Sequence, residues 1–188
     1  MKCKTTYNFS DIDFSRIAVI GCPGSGKTTF TLKLGSIISR HVVHLDKVLW
    51  GANWQMLPYD ERQIIHNNLV STDNWIIDGM WKSHLNERLD RATTVIFLDY
   101  KRSISIRRAI HRRIKYRGKQ RDDIADGCLE KLDNYFLNYI WTFRRKVRPL
   151  ILSELASRPQ LNVITLSSPK QTEMFLQNLA DFEKCGKR

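Results

Sequence analysis

The chain has 188 residues and is 42% hydrophobic, enough for one compact domain whose core needs neither disulfides nor a structural metal. Lys and Arg outnumber Asp and Glu 31 to 19, and the formal charge of +12 favours polyanionic partners (nucleotides, nucleic acid or acidic membrane surfaces) without choosing among them. The four cysteines, Cys3, Cys22, Cys128 and Cys185, are scattered, which excludes a CxxC pair or a Cys/His zinc site, and no segment has signal-peptide order or the roughly 18 apolar residues of a membrane span, so the expectation is a soluble, cytoplasmic protein with reduced thiols.

Residues 1–15 are polar and aperiodic and read as an N-terminal extension. Arg16 to Ile20 is a short β-branched run that stops at Gly21, the pattern of a buried parallel strand. Phe30, Leu32, Leu34, Ile37 and Ile38 then recur at roughly helical spacing, predicting a helix over Gly26 to Ser39, and His41 to Leu45 is the second strand. Pro58 opens a further helix with an apolar face of Ile64, Ile65, Leu69 and Val70, closed by the Ser71 to Asn74 turn cluster. Strands follow at Trp75 to Asp78, Thr93 to Leu98 and Leu161 to Leu166, and a last helix at Lys170 to Phe182. Strands alternating with helices imply a parallel sheet covered on both faces.

Between the fourth and fifth strands, Lys101 to Arg121 holds ten Lys/Arg and no acid. Ile106, Ile110 and Ile114 give this helix one narrow apolar stripe, with Arg108, Arg112, Lys115 and Lys119 on another side. The RGKQRDDIADG stretch after it lacks apolar periodicity and carries two glycines, so it reads as an exposed, mobile loop. Leu129 to Leu155 reads as a long aromatic-rich helical segment broken at Pro149.

The most specific signal is Gly21-Cys22-Pro23-Gly24-Ser25-Gly26-Lys27-Thr28-Thr29, which matches G-x-x-x-x-G-K-[ST] in full and lies between a predicted strand and a predicted helix. Such a loop lets backbone N–H groups curve around a β-phosphate, with the helix N-terminus adding partial positive charge, Lys27 reaching the β/γ-phosphates and the Thr28 hydroxyl facing Mg²⁺. Cys22 within it is either a redox-sensitive thiol or a plain spacer.

Ligands of open α/β sheets bind outside the carboxyl ends of the strands, where three acids stand: Asp46, Asp78 and Asp99. Beside a triphosphate an acid holds the Mg²⁺ water shell or orients and deprotonates an attacking hydroxyl, and Asp46 and Asp78 flank the cradle strand. The plain alternative is that each caps a following turn, a reading carried mainly by Asp99. The basic segment from Arg107 to Arg121 is either a closing lid or a solvated face; Arg144, Arg145, Lys146 and Arg148 form a second cationic group. Trp50, Trp54 and Trp81 are candidates to stack on a base or ring, or to fill the core, and His44 reads as a core histidine of its strand.

Taken in order, GCPGSGKTT, HLDKVLW, WIIDGMW, FLDY, RRIKYRGKQRDD, CLEKLD and YIWTFRRK resemble the adenylate-kinase-like P-loop proteins labelled DNA topology modulation proteins, over about residues 16–182. The resemblance implies a three-layer α/β/α fold of nucleoside-monophosphate-kinase type with a five-stranded parallel sheet in the order 2-3-1-4-5, one domain over 16–188 and a helical basic lid at about 113–127. It implies ATP and Mg²⁺ as cofactors, with Thr28 and Asp78 toward the metal, Asp46 at the acceptor hydroxyl, Lys27, Arg113 and Arg117 in catalysis, and Arg117, Arg121, Arg144 and Arg145 on the nucleotide. The Ser167-Ser168-Pro169 loop is expected near adenine. Met80-Trp81 departs from the aromatic-Pro-Arg segment that grips a monophosphate in adenylate kinases, and the lid lacks their zinc cysteines.

Three functions follow from this reading, the last of them a nucleotide-binding switch with negligible turnover. The first is a kinase passing the ATP γ-phosphate to a small acceptor, a nucleotide or a hydroxyl compound, acting as a monomer or homodimer away from membranes. The second is a nucleic-acid-associated ATPase or regulator affecting DNA topology, which no helix-turn-helix, zinc-finger or RNA-recognition signature supports. No guanine-reading N/T-K-x-D signal is present.

Overall fold

In the computed structural model, which describes residues 7–186, five parallel strands form one sheet: β1 (Arg16–Gly21), β2 (Val42–His44), β3 (Trp75–Asp78), β4 (Thr94–Leu98) and β5 (Asn162–Leu166). Their spatial order is β2-β3-β1-β4-β5, as expected, and β1 lies at the centre. The register aligns the carboxyl ends: His44 pairs with Asp78, Asp78 with Val19, and Gly21 with Leu98. A central strand buried on both faces must be apolar throughout, and Ile17 to Ile20 are wholly buried.

Side chains alternate across the pleat, so β1 sends Ala18 and Ile20 to one face and Ile17 and Val19 to the other. On the first face lie α3 (Tyr59–Ser71), α4 (Leu85–Arg91), α5 (Arg102–Lys115), α6 (Asn134–Lys146) and α7 (Arg148–Ala156), contributing Val70, Leu89, Ala109, Phe143 and Ile151. On the second, α1 (Lys27–Ile37) and α8 (Pro169–Gly186) bring Phe30, Leu34, Phe175 and Leu179. A one-turn helix α2 (Leu45–Val48) follows β2 directly. Helices on both faces of a parallel sheet make the three-layer α/β/α architecture.

Four local features differ from the sequence reading. Leu129 to Asp133 is not helical; α6 starts where the Asp133 carboxylate accepts the Phe136 N–H at 2.7 Å, and the helical run breaks at Val147, just before Pro149 in the first turn of α7. The isoleucine stripe of α5 is only partly covered: Ile106 packs on the core, but Ile110 is 42% and Ile114 70% exposed, while Ser105 and Ala109 are buried. The glycine-containing loop after α5 is docked, with Ile124, Ala125 and Cys128 buried against Trp50 and Trp54. Residues 7–15 are packed too: Tyr7 and Phe9 make edge contacts with Phe175, and the Asp13 carbonyl accepts the Thr93 and Thr94 hydroxyls. Cys3 lies outside the described residues.

Candidate functional site

The cradle is built by the abrupt passage from β1 into α1. Gly24 (φ +79°) and Gly26 (φ +92°) hold left-handed conformations, and a side chain on either would also run into α5, on the Ser105 backbone or the Arg108 guanidinium. Arg108 Nη1 donates to the Ser25 carbonyl at 2.9 Å, so α5 braces the loop from outside. This explains the buried Ser105: a small residue is needed where backbone meets backbone. Among the described residues, the N–H groups of Gly24, Gly26, Lys27, Thr28 and Thr29 donate to no protein acceptor, and the buried Ser25 hydroxyl has no partner. Five unsatisfied donors around a loop of this curvature are what a phosphate group fits.

Lys27 folds back across the loop, its Nζ donating to the Gly21 and Cys22 carbonyls at 3.0 and 3.2 Å. Burial pushes its ammonium below the ordinary value, and the charges of Asp78 and Asp46 offset part of that shift. Lys27 is thus within electrostatic reach of both strand-end acids. Burial drives the Cys22 thiol up to about 11, which leaves it the plain spacer of the loop.

Asp78, buried at the end of β3, accepts the Thr31 hydroxyl at 2.9 Å and faces His44 Nδ1 at 3.0 Å. Burial lowers the His44 pKa, but the hydrogen bond and charge of Asp78, with Asp123 and Asp46 behind, more than offset it, and the imidazole is held above its usual value. His44 therefore belongs to the site rather than to the core. Asp46, in the first turn of α2, is exposed and accepts Trp81 Nε1 at 2.8 Å. The backbone turn after Asp78 is fixed by Arg88, wholly buried, whose Nη2 donates to the Gly79 and Met80 carbonyls at 2.9 and 3.4 Å.

The segment after α5 closes over these groups. Thr28 Oγ1 donates to Asp123 Oδ2 at 2.9 Å, Ala125 N–H to the Asp46 carbonyl at 3.3 Å, and Trp54 Nε1 to the Leu129 carbonyl at 2.6 Å. Burial works against the Asp123 charge, yet the Arg121 guanidinium beside it and the Thr28 hydroxyl hold its carboxyl below the usual range. Arg121 and Arg112 share the buried Glu130, at 2.5 and 2.7 Å. Trp50 packs against Trp54 and Trp81 with centroids 5.6 and 5.4 Å away, so these indoles seat the closing segment.

The other cations are less concentrated. Among the described residues, the side chains of Arg113, half-buried, and Arg117, exposed, make no hydrogen bond or ion pair. Arg144 donates to Asp99 Oδ1 (3.3 Å) and the Tyr100 carbonyl (3.2 Å), and Arg148 to Asp99 Oδ2 at 2.8 Å. Asp99 is an anchor for α6 and α7, not a turn cap. Arg145 lines a groove of about 400 Å³ with Lys101, Arg102, Ser103, Trp141 and Arg144. The Ser167-Ser168-Pro169 turn opens α8, with Ser168 Oγ accepting the Gln171 N–H at 3.3 Å.

The oxygen donors also suit a hard divalent cation held largely by phosphates and water: the Thr28 hydroxyl is bonded to the Asp123 carboxylate, and no cluster of three or more His, Cys, Asp or Glu among the described residues is arranged to hold a metal alone. No helix among the described residues is long and apolar enough to cross a membrane.

A solved structure shares the fold. A gluconokinase from Sinorhizobium meliloti 1021 matches with a TM-score of 0.50 over 92% of this chain and 95% of that one, at 15% identity. A shikimate kinase from Bacteroides thetaiotaomicron gives 0.49 at 17% identity, over 90% and 98%, and a deoxyadenosine kinase from M. mycoides with bound dATP gives 0.43 at 14%, over 87% and 97%. At 15% identity the likeness to the gluconokinase is one of fold. No protein-family model matches the chain, and no curated protein matches it.

Proposed function

We propose that the protein is an ATP-dependent phosphotransferase that moves the γ-phosphate to the hydroxyl of a small acceptor, a nucleotide or a hydroxyl compound. The observation that carries this reading is the convergence on one cradle of Lys27, Asp78 and Asp46, the last exposed toward solvent with one carboxylate oxygen tied to Trp81. A nucleotide-binding switch would need the cradle; an exposed acid beside it suits a second substrate.

On this reading the loop from Gly21 to Thr29, including Pro23, Gly24, Ser25 and Gly26, binds the β-phosphate through its free N–H groups, and Lys27 leaves the loop carbonyls for the β/γ-phosphates. Mg²⁺, when bound, neutralises the developing phosphoryl charge, and Thr28 and Asp78 are the residues assigned toward it. The acceptor oxygen forms its bond to the γ-phosphorus as the bond from that phosphorus to the bridging oxygen of ADP breaks, and the hydroxyl proton passes to Asp46. His44 and Thr31 orient Asp78, Arg113 and Arg117 are assigned to supply positive charge, Arg121 holds Asp123, and Arg144 and Arg145 line the groove with Trp141. Membership of the DNA topology modulation family is part of the proposal, and a cytoplasmic location goes with it.

Purified protein with Mg-ATP and a panel of nucleotides and hydroxyl metabolites, read as ADP formed, tests the reading. One acceptor class is expected to raise turnover well above the acceptor-free rate, and Lys27→Ala to lower it by about 10²-fold or more. Hydrolysis indifferent to every acceptor counts against a kinase.

The second reading, a nucleic-acid-associated ATPase, is favoured by the open groove of Lys101, Arg102, Arg144, Arg145 and Trp141, in which Arg102 lies 4.0 Å over the indole. It requires binding of single- or double-stranded DNA that weakens steeply with salt.

A further inference from the structure

Asp123 stands at no strand end. It arrives from the loop after α5, 95 residues on from Thr28, yet its Oδ2 accepts the Thr28 hydroxyl at 2.9 Å. The loop is held for this contact at several points. Arg121 grips both oxygens of Asp123, with Nε to Oδ1 at 2.9 Å and Nη2 to Oδ2; its own Nη1 is fixed by Glu130, and Glu130 also takes Arg112 of α5. Ala125 N–H is tied to the Asp46 carbonyl, and Ile124, Ala125 and Cys128 are buried on Trp50 and Trp54. Asp123 is a placed oxygen donor, not a loop side chain in passing.

We propose that Asp123 is a metal-facing residue: from the closing segment it supplies an oxygen to the same divalent cation as the Thr28 hydroxyl, so that metal binding and closure of the segment are coupled. The proposal rests on the reading of the cradle as a Mg-nucleotide site. Its first support is spacing. Neighbouring ligands of an octahedral Mg²⁺ at about 2.0–2.1 Å lie about 2.9 Å apart, which is the Thr28–Asp123 separation, so both oxygens span one edge of the octahedron without moving. The lone pair of Oδ2 that takes the hydroxyl hydrogen is then the one that turns to the cation.

The second support is charge. A carboxylate fixed beside a triphosphate cradle repels the phosphates, and a cation between them converts that repulsion into attraction. Arg121 alone does not do so, because its charge is already divided between Asp123 and Glu130. The third is ligand supply: with no three-residue cluster of metal-binding side chains among the described residues, the cation depends on phosphate oxygens, water and one or two protein oxygens.

Calorimetry with the β,γ-imido analogue of ATP, in Mg²⁺ and in EDTA, on the wild type, Asp123→Ala, Asp123→Asn and Lys27→Ala tests this. In the wild type Mg²⁺ is expected to tighten binding by about ten-fold or more; in Asp123→Ala the metal-free affinity stays or rises while the Mg²⁺ gain falls by about ten-fold. Asp123→Asn, which keeps one oxygen donor, recovers part of the gain. With Mn²⁺ in place of Mg²⁺, water-proton relaxation is expected to register about one extra metal-bound water in Asp123→Ala, filling the octahedral position left by the carboxylate. A full Mg²⁺ gain in Asp123→Ala overturns the proposal, and so does tightening that is equal with and without metal, since Asp123 would then merely compete for Thr28. Failure of the wild type to bind the analogue under either condition, or binding untouched by Lys27→Ala, instead overturns the reading of the cradle, and the proposal with it.

Discussion

Asp78 shares one oxygen between the Thr31 hydroxyl and His44, and this pair makes the site sensitive to pH. Because the His44 pKa is raised in the folded protein, the charged pair contributes its full stability below the ordinary imidazole value and loses it as pH climbs through the raised value. His44→Gln is therefore expected to lower the melting temperature at about pH 6 and to matter progressively less toward about pH 9. A difference between the two proteins that stays constant across this range would show that His44 is neutral in the fold. As a lone histidine in a strand it carries no chemical mark; only the β2–β3 register, which sets His44 beside Asp78, makes it functional. Asp123 was hidden for a related reason. Nothing local ties an acid in a glycine-containing stretch to a threonine 95 positions away, whereas the cradle from Gly21 to Thr29 and the strand-end acids announce themselves through motif and position.

At the level of elements, α5 shows where periodicity misleads. Its isoleucines repeat at i, i+4 and i+8 and nominate a core stripe, but only Ile106 packs inward; the helix buries Ser105, whose backbone meets Gly24, and Ala109, which enters the core. Close backbone approach selects small side chains, and hydropathy does not register it. Ala109→Leu is expected to overpack the core beneath α5 and cost about 1–3 kcal/mol, whereas Ile114→Lys, on the outer face, stays within about 0.5 kcal/mol of the wild type. Urea unfolding of the two variants measures both; equal losses would mean that the isoleucine stripe is packed after all. The strands were legible for the opposite reason: each short apolar run is buried by the sheet itself, so local composition and final environment coincide, as at Ile17 to Ile20.

Across the whole molecule, one sheet separates two cores, and the N-terminal stretch closes the second of them. Tyr7, Phe9 and Phe30 surround Phe175, which ties residues 7–15, α1 and α8 into one aromatic cluster opposite the closing segment. The first core carries the walls of the site on its rim: α3 and α4 lie on the Asp46–Trp81 side, and α5 with the docked loop on the other. Strand order and layers follow from alternating elements, but the assembly of the rim depends on long-range polar contacts such as Arg121–Glu130–Arg112.

The indole cluster under that loop gives the molecule an optical readout of its own state. Trp50 and Trp54 lie against Ile124, Ala125 and Cys128, with a sulfur beside the Trp54 backbone, while Trp75 stays within the core and Trp141 is already in water. Lifting the segment uncovers Trp50 and Trp54, so intrinsic emission is expected to shift to the red with the far-ultraviolet dichroism unchanged, and Trp54→Phe to reduce that shift. The chain thus reports its opening without any attached dye.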